Sequence, residues 1–271
     1  MTPQDHDSHL LPYARRPDFH VGRAPELHGK DRLFYRALEI LPGLTSWATL
    51  IGVILLSIYA PFVAAYFVIA FALYWVLKTA FLSYHLRYNW KRLRHHMKLN
   101  WKDMIARFDY DDINHVVILP FYREPLEVVE ASIKALASVN YDLKKIIVVL
   151  AAEERAGEEA RIVQDKIKAL YGERFGSFLN TTHPAGVPGE VAGKGSNAAY
   201  AAEAVRTEVL DPHGLGYDRV LVSIFDIDTV LYPEYFNCLI WHFMTAPRPL
   251  KSSFQPVPIF NNNIWEAPAI S

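Results

Sequence analysis

The feature that most constrains the fold is a long stretch without a charged side chain, residues 40–77. Its centre reads IGVILLSIYAPFVAAYFVIAFALYWVL. A helix that spans a lipid bilayer needs about 20 apolar residues, so this run is long enough for two such helices. Pro61 lies near its middle, where it would break one long helix but fits a tight turn between two. We therefore predict a transmembrane helical hairpin within residues 40–86, with helices over 41–60 and 62–83.

Basic residues flank the uncharged run on both sides, and the predicted turn carries no charge. They are Arg15, Arg16, Arg23, Lys30, Arg32 and Arg36 before it, and Arg87, Lys91, Arg92, Arg94 and Lys98 after it. Positive charge favours the cytoplasmic side of a membrane. We expect a multi-pass protein of the cell (inner) membrane, with residues 1–39 as a polar cytoplasmic segment and the catalytic domain on that same side. The alternative is a buried helical hairpin of a soluble protein, but soluble helices normally keep a polar stripe.

A second apolar pattern follows within residues 87–113. Its members recur at steps of three and four residues, with Lys and Arg on the other face: Trp90, Leu93, Met97, Trp101, Ile105 and Phe108. This pattern is typical of a basic amphipathic helix lying in the membrane interface. A helix packed on the following domain has the same apolar stripe, so both interpretations stay open.

From residue 114 the chain alternates between short apolar runs and amphipathic segments. We predict strands over 116–121, 144–151, 177–183 and 219–225, helices over 126–139, 158–171, 196–209 and 233–244, and a further strand over 252–257. Strands that alternate with helices indicate an α/β domain over 114–271, a mixed and mainly parallel sheet with helices on both faces. Ligands of such sheets bind at the carboxyl ends of the strands.

Charge and cysteine content exclude two other classes of function. The chain has 28 basic and 29 acidic residues, a net charge of -1. Binding nucleic acid needs a surplus of Lys and Arg, so we expect no nucleic-acid partner. The single cysteine, Cys238, allows neither an intrachain disulfide nor a cysteine-cluster metal site.

The best candidate for a metal site is the pair Asp226 and Asp228, which ends the predicted strand over 219–225. Two carboxylates spaced i, i+2 at a strand end can face one divalent ion, and their hard oxygen ligands suit Mg²⁺ or Mn²⁺. The same spacing also occurs in a polar tail and in the linker before the domain, at Asp5/Asp7 and Asp109/Asp111. Only Asp226/Asp228 directly follows a buried-strand pattern. The alternative is a strand-end turn with solvated carboxylates.

A glycine-containing loop, residues 189–197, leads into the Ala-rich helix predicted over 196–209. Main-chain amides before a helix N-terminus favour phosphate, and Lys194 could add a positive charge. The spacing of Gly189, Gly193 and Lys194 does not match a P-loop, which requires four residues between Gly and Gly-Lys. A surface loop with a helix cap at Ser196 remains the alternative.

Taken together, these segments resemble the family 2 glycosyltransferases of the GT-A fold, most closely the membrane-integrated, cellulose-synthase-like branch that forms polysaccharides. The resemblance covers residues 114–271 and rests on Leu119-Pro120-Phe121-Tyr122-Arg123-Glu124, Glu153, Gly193-Lys194-Gly195-Ser196-Asn197, Asp226-Ile227-Asp228, Phe254-Gln255-Pro256 and Asn261-Asn262-Asn263-Ile264-Trp265. The preceding hairpin is typical of that branch. A GT-A-like, Rossmann-like sheet is therefore the fold that we expect.

The resemblance implies roles for particular residues. The nucleotide-sugar would contact Pro120, Tyr122, Glu124, Glu153, Lys194, Asn197 and Asp226. Asp226 and Asp228 would hold Mg²⁺ or Mn²⁺, with the second carboxylate as the direct ligand. The acceptor side would include Gln255, Asn262 and Trp265. The implied partners are a nucleotide-sugar donor, by default a UDP-sugar with GDP-mannose as the other option, a glycan or lipid-linked acceptor, and the lipid bilayer.

Two departures from the family's pattern qualify these expectations. The second-strand element reads Ala-Ala-Glu-Glu at residues 151–154 where the family usually has Asp, which leaves base specificity open. The family's Thr-Glu-Asp-like segment, which supplies the general base, and its Gln-x-x-Arg-Trp segment do not occur before Ser271. We expect the domain to be incomplete at its C-terminus, with the general base beyond Ser271.

Three other functions remain open. The first is a catalytically incomplete or degenerate nucleotide-binding module. The second is a sugar nucleotidyltransferase, although the Gly-rich signature expected early in such a domain is missing from residues 119–124. The third is a membrane transport or scaffold protein, against which the uncharged run over 40–77 counts because it offers no acidic or basic residue for a pathway.

Overall fold

The computed structural model describes residues 27–187 and 190–259. They form two compact units: a helical unit within residues 27–99 and a sheet unit within residues 100–187 and 190–259. The helices and strands, in chain order, are α1 (Gly29–Tyr59), α2 (Pro61–His96), α3 (Trp101–Ile105), β1 (Asn114–Phe121), α4 (Leu126–Leu136), β2 (Ile146–Glu153), α5 (Glu158–Tyr171), β3 (Ser177–His183), α6 (Lys194–Val205), β4 (Val220–Ile224) and α7 (Tyr235–Thr245).

The helical unit consists of two long helices separated by one residue, Ala60. Its α1 has 31 residues and its α2 has 36, and α2 begins at Pro61, where the missing amide hydrogen costs no helical hydrogen bond. Both helices are long and apolar enough to cross a membrane. Within this unit α1 has no buried side chain, and Ala64 is the buried residue of α2.

The serine and threonine hydroxyl groups of α1 are satisfied by the helix itself. Thr45, Ser46, Thr49 and Ser57 each donate a hydrogen bond to a main-chain carbonyl three or four residues earlier, at 2.7 to 3.0 Å. A hydroxyl bonded in this way has no need of water, which suits an apolar medium. The polar side chains of α1 are thus compatible with its apolar surface.

The segment over 87–113, expected as one amphipathic helix, is divided in the structure. The first part belongs to α2, which continues without a break to His96, and the short helix α3 follows. Trp101 and Ile105 of α3 are buried in the sheet unit, where the Trp101 ring lies 6.3 Å from the ring of Trp241 and 5.8 Å from that of His242. The apolar stripe therefore serves two different elements, because the turn after His96 separates them.

The sheet unit contains one sheet of four strands in the order β3-β2-β1-β4. All of the strand pairs in the described residues are parallel. The mainly parallel part of the expectation therefore holds for these residues, and the mixed part does not. The strand predicted over 252–257 is also wrong: residues 252–259 have no assigned secondary structure and belong to no ladder. An apolar sequence alone does not make a strand, since a strand also needs a partner with unpaired main-chain groups.

Helices cover both faces of the sheet, as predicted for an α/β domain. On one face, alternate residues of the central strands such as Val117 and Leu119 pack against α4, α5 and Phe236 of α7. On the other face, Val116 and Ile118 pack against α6. The central strands β1 and β2 are buried along almost their whole length, which explains why their sequences read as continuous apolar runs.

The order of the strands produces one reversal. From β1 the chain moves outward to β2 and then to β3, and it then returns through α6 to the opposite side of β1 to form β4. The helices α4 and α5, which follow β1 and β2, therefore lie on one face of the sheet, and α6, which follows β3, lies on the other face. The carboxyl ends of β1 and β4 flank the crevice that this reversal opens, and such a crevice is the usual ligand site of an open α/β sheet.

Candidate functional site

A cavity of about 800 Å³ lies at the carboxyl ends of β1 and β4. It contains eight of the residues predicted from sequence: Pro120, Tyr122, Glu124, Glu153, Lys194, Asn197, Asp226 and Asp228. They come from four segments spread over more than a hundred residues, and the fold brings them to one edge of the sheet. The cavity is thus the candidate site.

The turn after β4 carries two carboxylates around a buried residue. Ile227 is 4% exposed and packs in the core beneath the sheet, whereas Asp226 and Asp228 are exposed and line the cavity. The main-chain amide of Thr229 donates to the carbonyl of Asp226 at 3.0 Å and closes the turn. Because the middle side chain points inward, both carboxylates lie on the cavity side.

Lys194 forms an ion pair with Asp226 across the cavity. It is the first residue of α6, and its ammonium group bonds to one carboxylate oxygen of Asp226. Both side chains are at least half exposed, so the pair contributes at most about 1 kcal/mol to stability. The contact shows that a cation fits beside Asp226 and that the protein's own lysine takes that position.

Glu124 holds the loop after β1 rather than facing the cavity freely. Its Oε2 accepts hydrogen bonds from the main-chain amides of Tyr122 and Arg123, at 2.7 and 3.1 Å. Main-chain amides that bond a carboxylate have no remaining need for another acceptor. The carboxylate thus fixes the path of the loop that presents the Tyr122 ring.

Glu153 is similarly engaged, by Arg155. The Arg155 guanidinium bonds the Glu153 carboxylate and lies 5.1 Å from the centre of the Tyr122 ring. The guanidinium of Arg123 lies 4.9 Å from the same ring. The hydrogen bond to Glu153 raises the pKa of Arg155. Glu153, Arg155 and Tyr122 therefore form one connected group on the β1–β2 side of the cavity.

Asn197 links α6 to the end of β2. Its amide nitrogen donates to the carbonyl of Ala151 at 2.8 Å, and the residue is 1% exposed. Its Oδ1 is buried and has no partner among the described residues. A buried acceptor without a donor is costly, so a donor group of a ligand or a water molecule in the cavity would satisfy it.

The charge of the cavity decides which ligand it can take. Five carboxylate residues and one lysine line it in the described part of the chain: Glu124, Glu127, Glu153, Asp226, Asp228 and Lys194. A diphosphate entering alone would meet net negative charge. A divalent cation that entered with it would offset this repulsion.

The residues present fit such a metal ion, within limits. No group of three His, Cys, Asp or Glu residues in residues 27–187 and 190–259 could enclose an ion, which excludes a cage built from these residues alone. Mg²⁺ is commonly held by one or two carboxylates and completed by water and substrate phosphates. Asp226 and Asp228 meet that lesser requirement, and the Lys194 ammonium already stands where a cation would approach Asp226.

Of the acceptor-side residues predicted from sequence, only Gln255 lies in the part of the chain that the structure describes. Gln255 is exposed and is not one of the residues that line the cavity. Asn262 and Trp265 lie outside the described residues. The same holds for Asp5 and Asp7, while Asp111 pairs with Lys145 at 3.1 Å in the sheet unit.

Sequence reasoning missed three residues of the site: Glu127, Ser132 and Arg155. Glu127 and Ser132 lie on α4, which the sequence identified only as an amphipathic helix, and both line the cavity. Arg155 follows Glu153 by two residues, and this spacing was the available signal. For Ser132 no local signal exists, because its partner, Ile227, is 95 residues away.

No protein-family model matches the chain, and no curated protein matches its sequence.

Proposed function

We propose that this chain carries the donor site of a membrane-bound inverting glycosyltransferase. The enzyme would move a sugar from a nucleotide-diphospho-sugar, by default a UDP-sugar, to a glycan or lipid-linked acceptor, and would require Mg²⁺ or Mn²⁺. A GT-A-like fold of family 2 is part of the proposal. The observation that carries it is the cavity at the β1/β4 reversal, which brings together eight residues that the sequence predicts as site residues.

The residues of the cavity divide the work of binding between them. Asp226 and Asp228 would hold the divalent cation, which when bound neutralises the charge that develops on the departing nucleoside diphosphate. Lys194, at the start of α6, would turn from Asp226 to the phosphate oxygens. Tyr122 would offer its ring to the base, with Glu153 held beside it by Arg155. Asn197 would accept a donor of the nucleotide with its unpartnered Oδ1.

Calorimetric titration of the detergent-solubilised chain tests this proposal. We expect UDP to bind only when Mn²⁺ is present, and the affinity to fall by about 100-fold or more in the double variant Asp226→Ala/Asp228→Ala. The matched control is Asp109→Ala/Asp111→Ala, which removes the same spacing of carboxylates from outside the cavity. GDP is titrated in parallel to identify the base.

Two outcomes would overturn the donor site. Folded protein that binds neither UDP nor GDP with metal would exclude it, as would equal loss of binding in both double variants. Tighter binding of UTP than UDP would favour the sugar nucleotidyltransferase instead, because that class of enzyme takes a triphosphate as its substrate.

We further propose that α1 and α2 span the membrane, with the sheet unit on the cytoplasmic side. The length and apolar surface of both helices support this, as does the excess of basic residues on their outer flanks. The chain should remain in the membrane fraction after alkaline carbonate extraction. Protease added to sealed, right-side-out vesicles should leave the sheet unit intact, and digestion of that unit under these conditions would contradict the cytoplasmic placement.

A further inference from the structure

Ser132 connects α4 to the turn that carries the two carboxylates. It is 3% exposed and lines the cavity. Its hydroxyl donates a hydrogen bond of 2.5 Å to the main-chain carbonyl of Ile227, the residue between Asp226 and Asp228. A serine within a helix often bonds a carbonyl of the preceding turn of its own helix, but this one bonds another part of the chain.

Two further hydrogen bonds hold the same turn, one before Ile227 and one that spans it. The amide of Phe225 donates to the carbonyl of Ile118 at 3.1 Å, which attaches the end of β4 to β1. The amide of Thr229 donates to the carbonyl of Asp226 at 3.0 Å. Ser132 supplies the bond between them, so the middle of the turn is tied to a rigid helix while its ends are tied to main chain.

We infer that Ser132 is a positioning residue that holds Asp226 and Asp228 in register for a small divalent cation, an inference that rests on the proposed function. Rotation of the Ile227 peptide would turn the two carboxylates away from each other, because they lie on either side of it. The bond from Ser132 opposes this rotation. Ser132 itself would touch neither the cation nor the nucleotide.

The variant Ser132→Ala removes this bond with little effect on α4. Alanine is the best helix former, so the helix loses no intrinsic stability. The cost falls on the Ile227 carbonyl, which is left without its partner. A change in metal binding in this variant would therefore reflect a change in the turn that carries Asp226 and Asp228, and not a change in α4.

The readout is the preference for Mg²⁺ over Ca²⁺ in the presence of saturating UDP, measured by calorimetric competition with Mn²⁺. Mg²⁺ demands near-ideal octahedral geometry, whereas Ca²⁺ accepts flexible arrangements. In Ser132→Ala we expect Mg²⁺ affinity to fall by about tenfold and Ca²⁺ affinity by no more than about threefold, so the preference itself falls. General destabilisation would weaken both ions equally and leave the ratio unchanged.

The matched control is Ser223→Ala on β4. Ser223 is also buried and its hydroxyl lies 3.3 Å from that of Tyr235, so the variant removes a buried hydroxyl near the site without touching the turn. Its Mg²⁺/Ca²⁺ ratio should equal that of the wild type. If Ser132→Ala does not fold, Ser132→Cys keeps the shape with a weaker donor and should show a reduced ratio.

The outcomes separate this inference from the proposed function. A wild-type chain that binds UDP with metal, together with an unchanged ion ratio in the folded Ser132 variant, would overturn the positioning role alone. The same drop in ratio in Ser223→Ala would also overturn it. Absence of metal-dependent binding in the wild type would remove both the inference and the function on which it rests.

Discussion

Carboxylates on the β4 side of the cavity differ from those on the β1–β2 side in what surrounds them. Asp226 and Asp228, here called the β4 rim, are exposed on a turn whose main chain is tethered from below. Glu124 and Glu153, the β1–β2 rim, are bonded to the chain's own amides and to a guanidinium. Carboxylates engaged in this way shape the cavity, whereas exposed ones on a fixed turn can receive a cation.

The difference teaches that acidic residues lining one cavity need not share a role. Bonding within the protein reduces the charge that Glu124 and Glu153 present to a ligand. The only protein cation that the structure brings to the β4 rim's Asp226, among the described residues, is Lys194, on a flexible and half-exposed side chain.

Neutralising the β4 rim should have the largest effect. The double variant Asp226→Asn/Asp228→Asn keeps the size of both side chains and removes their charge, so metal-dependent UDP binding should weaken by about 100-fold or more. Stability should change by no more than about 1 kcal/mol, because the lost ion pair with Lys194 and the relieved repulsion between two exposed carboxylates act in opposite directions. Calorimetry and thermal unfolding measure the two effects. A large loss of stability with retained binding would show that Asp226 and Asp228 support the fold and do not hold the cation.

The pH dependence of stability should depend on the start of β1, which lies away from the cavity, and not on the carboxylates of the β4 rim. His115, at the start of β1, is fully buried against Tyr141 and Phe236, and neither ring nitrogen has a partner among the described residues. Burial lowers the pKa of His115 to about 3. The unfolded chain therefore binds this proton at a higher pH than the folded one, and stability falls as the pH drops below about 6.5.

Between pH 7 and pH 5 this histidine should cost about 2 kcal/mol of unfolding free energy. The variant His115→Leu should remove that part of the pH dependence, as measured by denaturant unfolding at both pH values. The same scan in the Asp226→Asn/Asp228→Asn variant should still show the loss. An equal pH dependence with and without His115 would show that another group is responsible.

Removing Glu124 should affect stability and binding together. In Glu124→Ala the amides of Tyr122 and Arg123 lose their acceptor, which should cost about 1 to 2 kcal/mol and loosen the loop that carries Tyr122. Glu127→Ala is the matched control, since it removes a cavity carboxylate that does not hold this loop. If the two variants lose equal stability, Glu124 is not distinguished by its bonds to the loop.

Changing Lys194 should have the smallest effect, with opposite signs for two ligands. In Lys194→Met the cation beside Asp226 is gone, so Mn²⁺ alone should bind about threefold more tightly. UDP in the presence of metal should bind less tightly, because a positive charge near the phosphates is lost. The control Lys166→Met, on the exposed face of α5, should change neither affinity. If Lys194→Met weakens the binding of both ligands, Lys194 does not exchange Asp226 for the phosphates when UDP binds.

Local patterns in the sequence determined much of the architecture. The uncharged run and Pro61 are sufficient for two apolar helices and the break between them, because helix length and proline geometry act within a few residues. The apolar runs that became β1 and β2, and the polar residues directly after β1, β2 and β4, indicated a parallel sheet and the edge where its ligand site would lie. Asp226 and Asp228 could be placed at a strand end because an apolar run precedes them, although that strand, β4, is exposed or half-buried along most of its length rather than buried as expected.

Tertiary structure alone decided which partners those residues have. The hydroxyl of Ser132 finds a carbonyl 95 residues away, Glu124 turns to its own loop, and residues 252–257 remain outside the sheet. The turn after His96 likewise divides one apolar stripe between α2 and α3. Each of these outcomes depends on competition among donors, acceptors and apolar surfaces that are distant in sequence, and that competition is settled only when the chain packs.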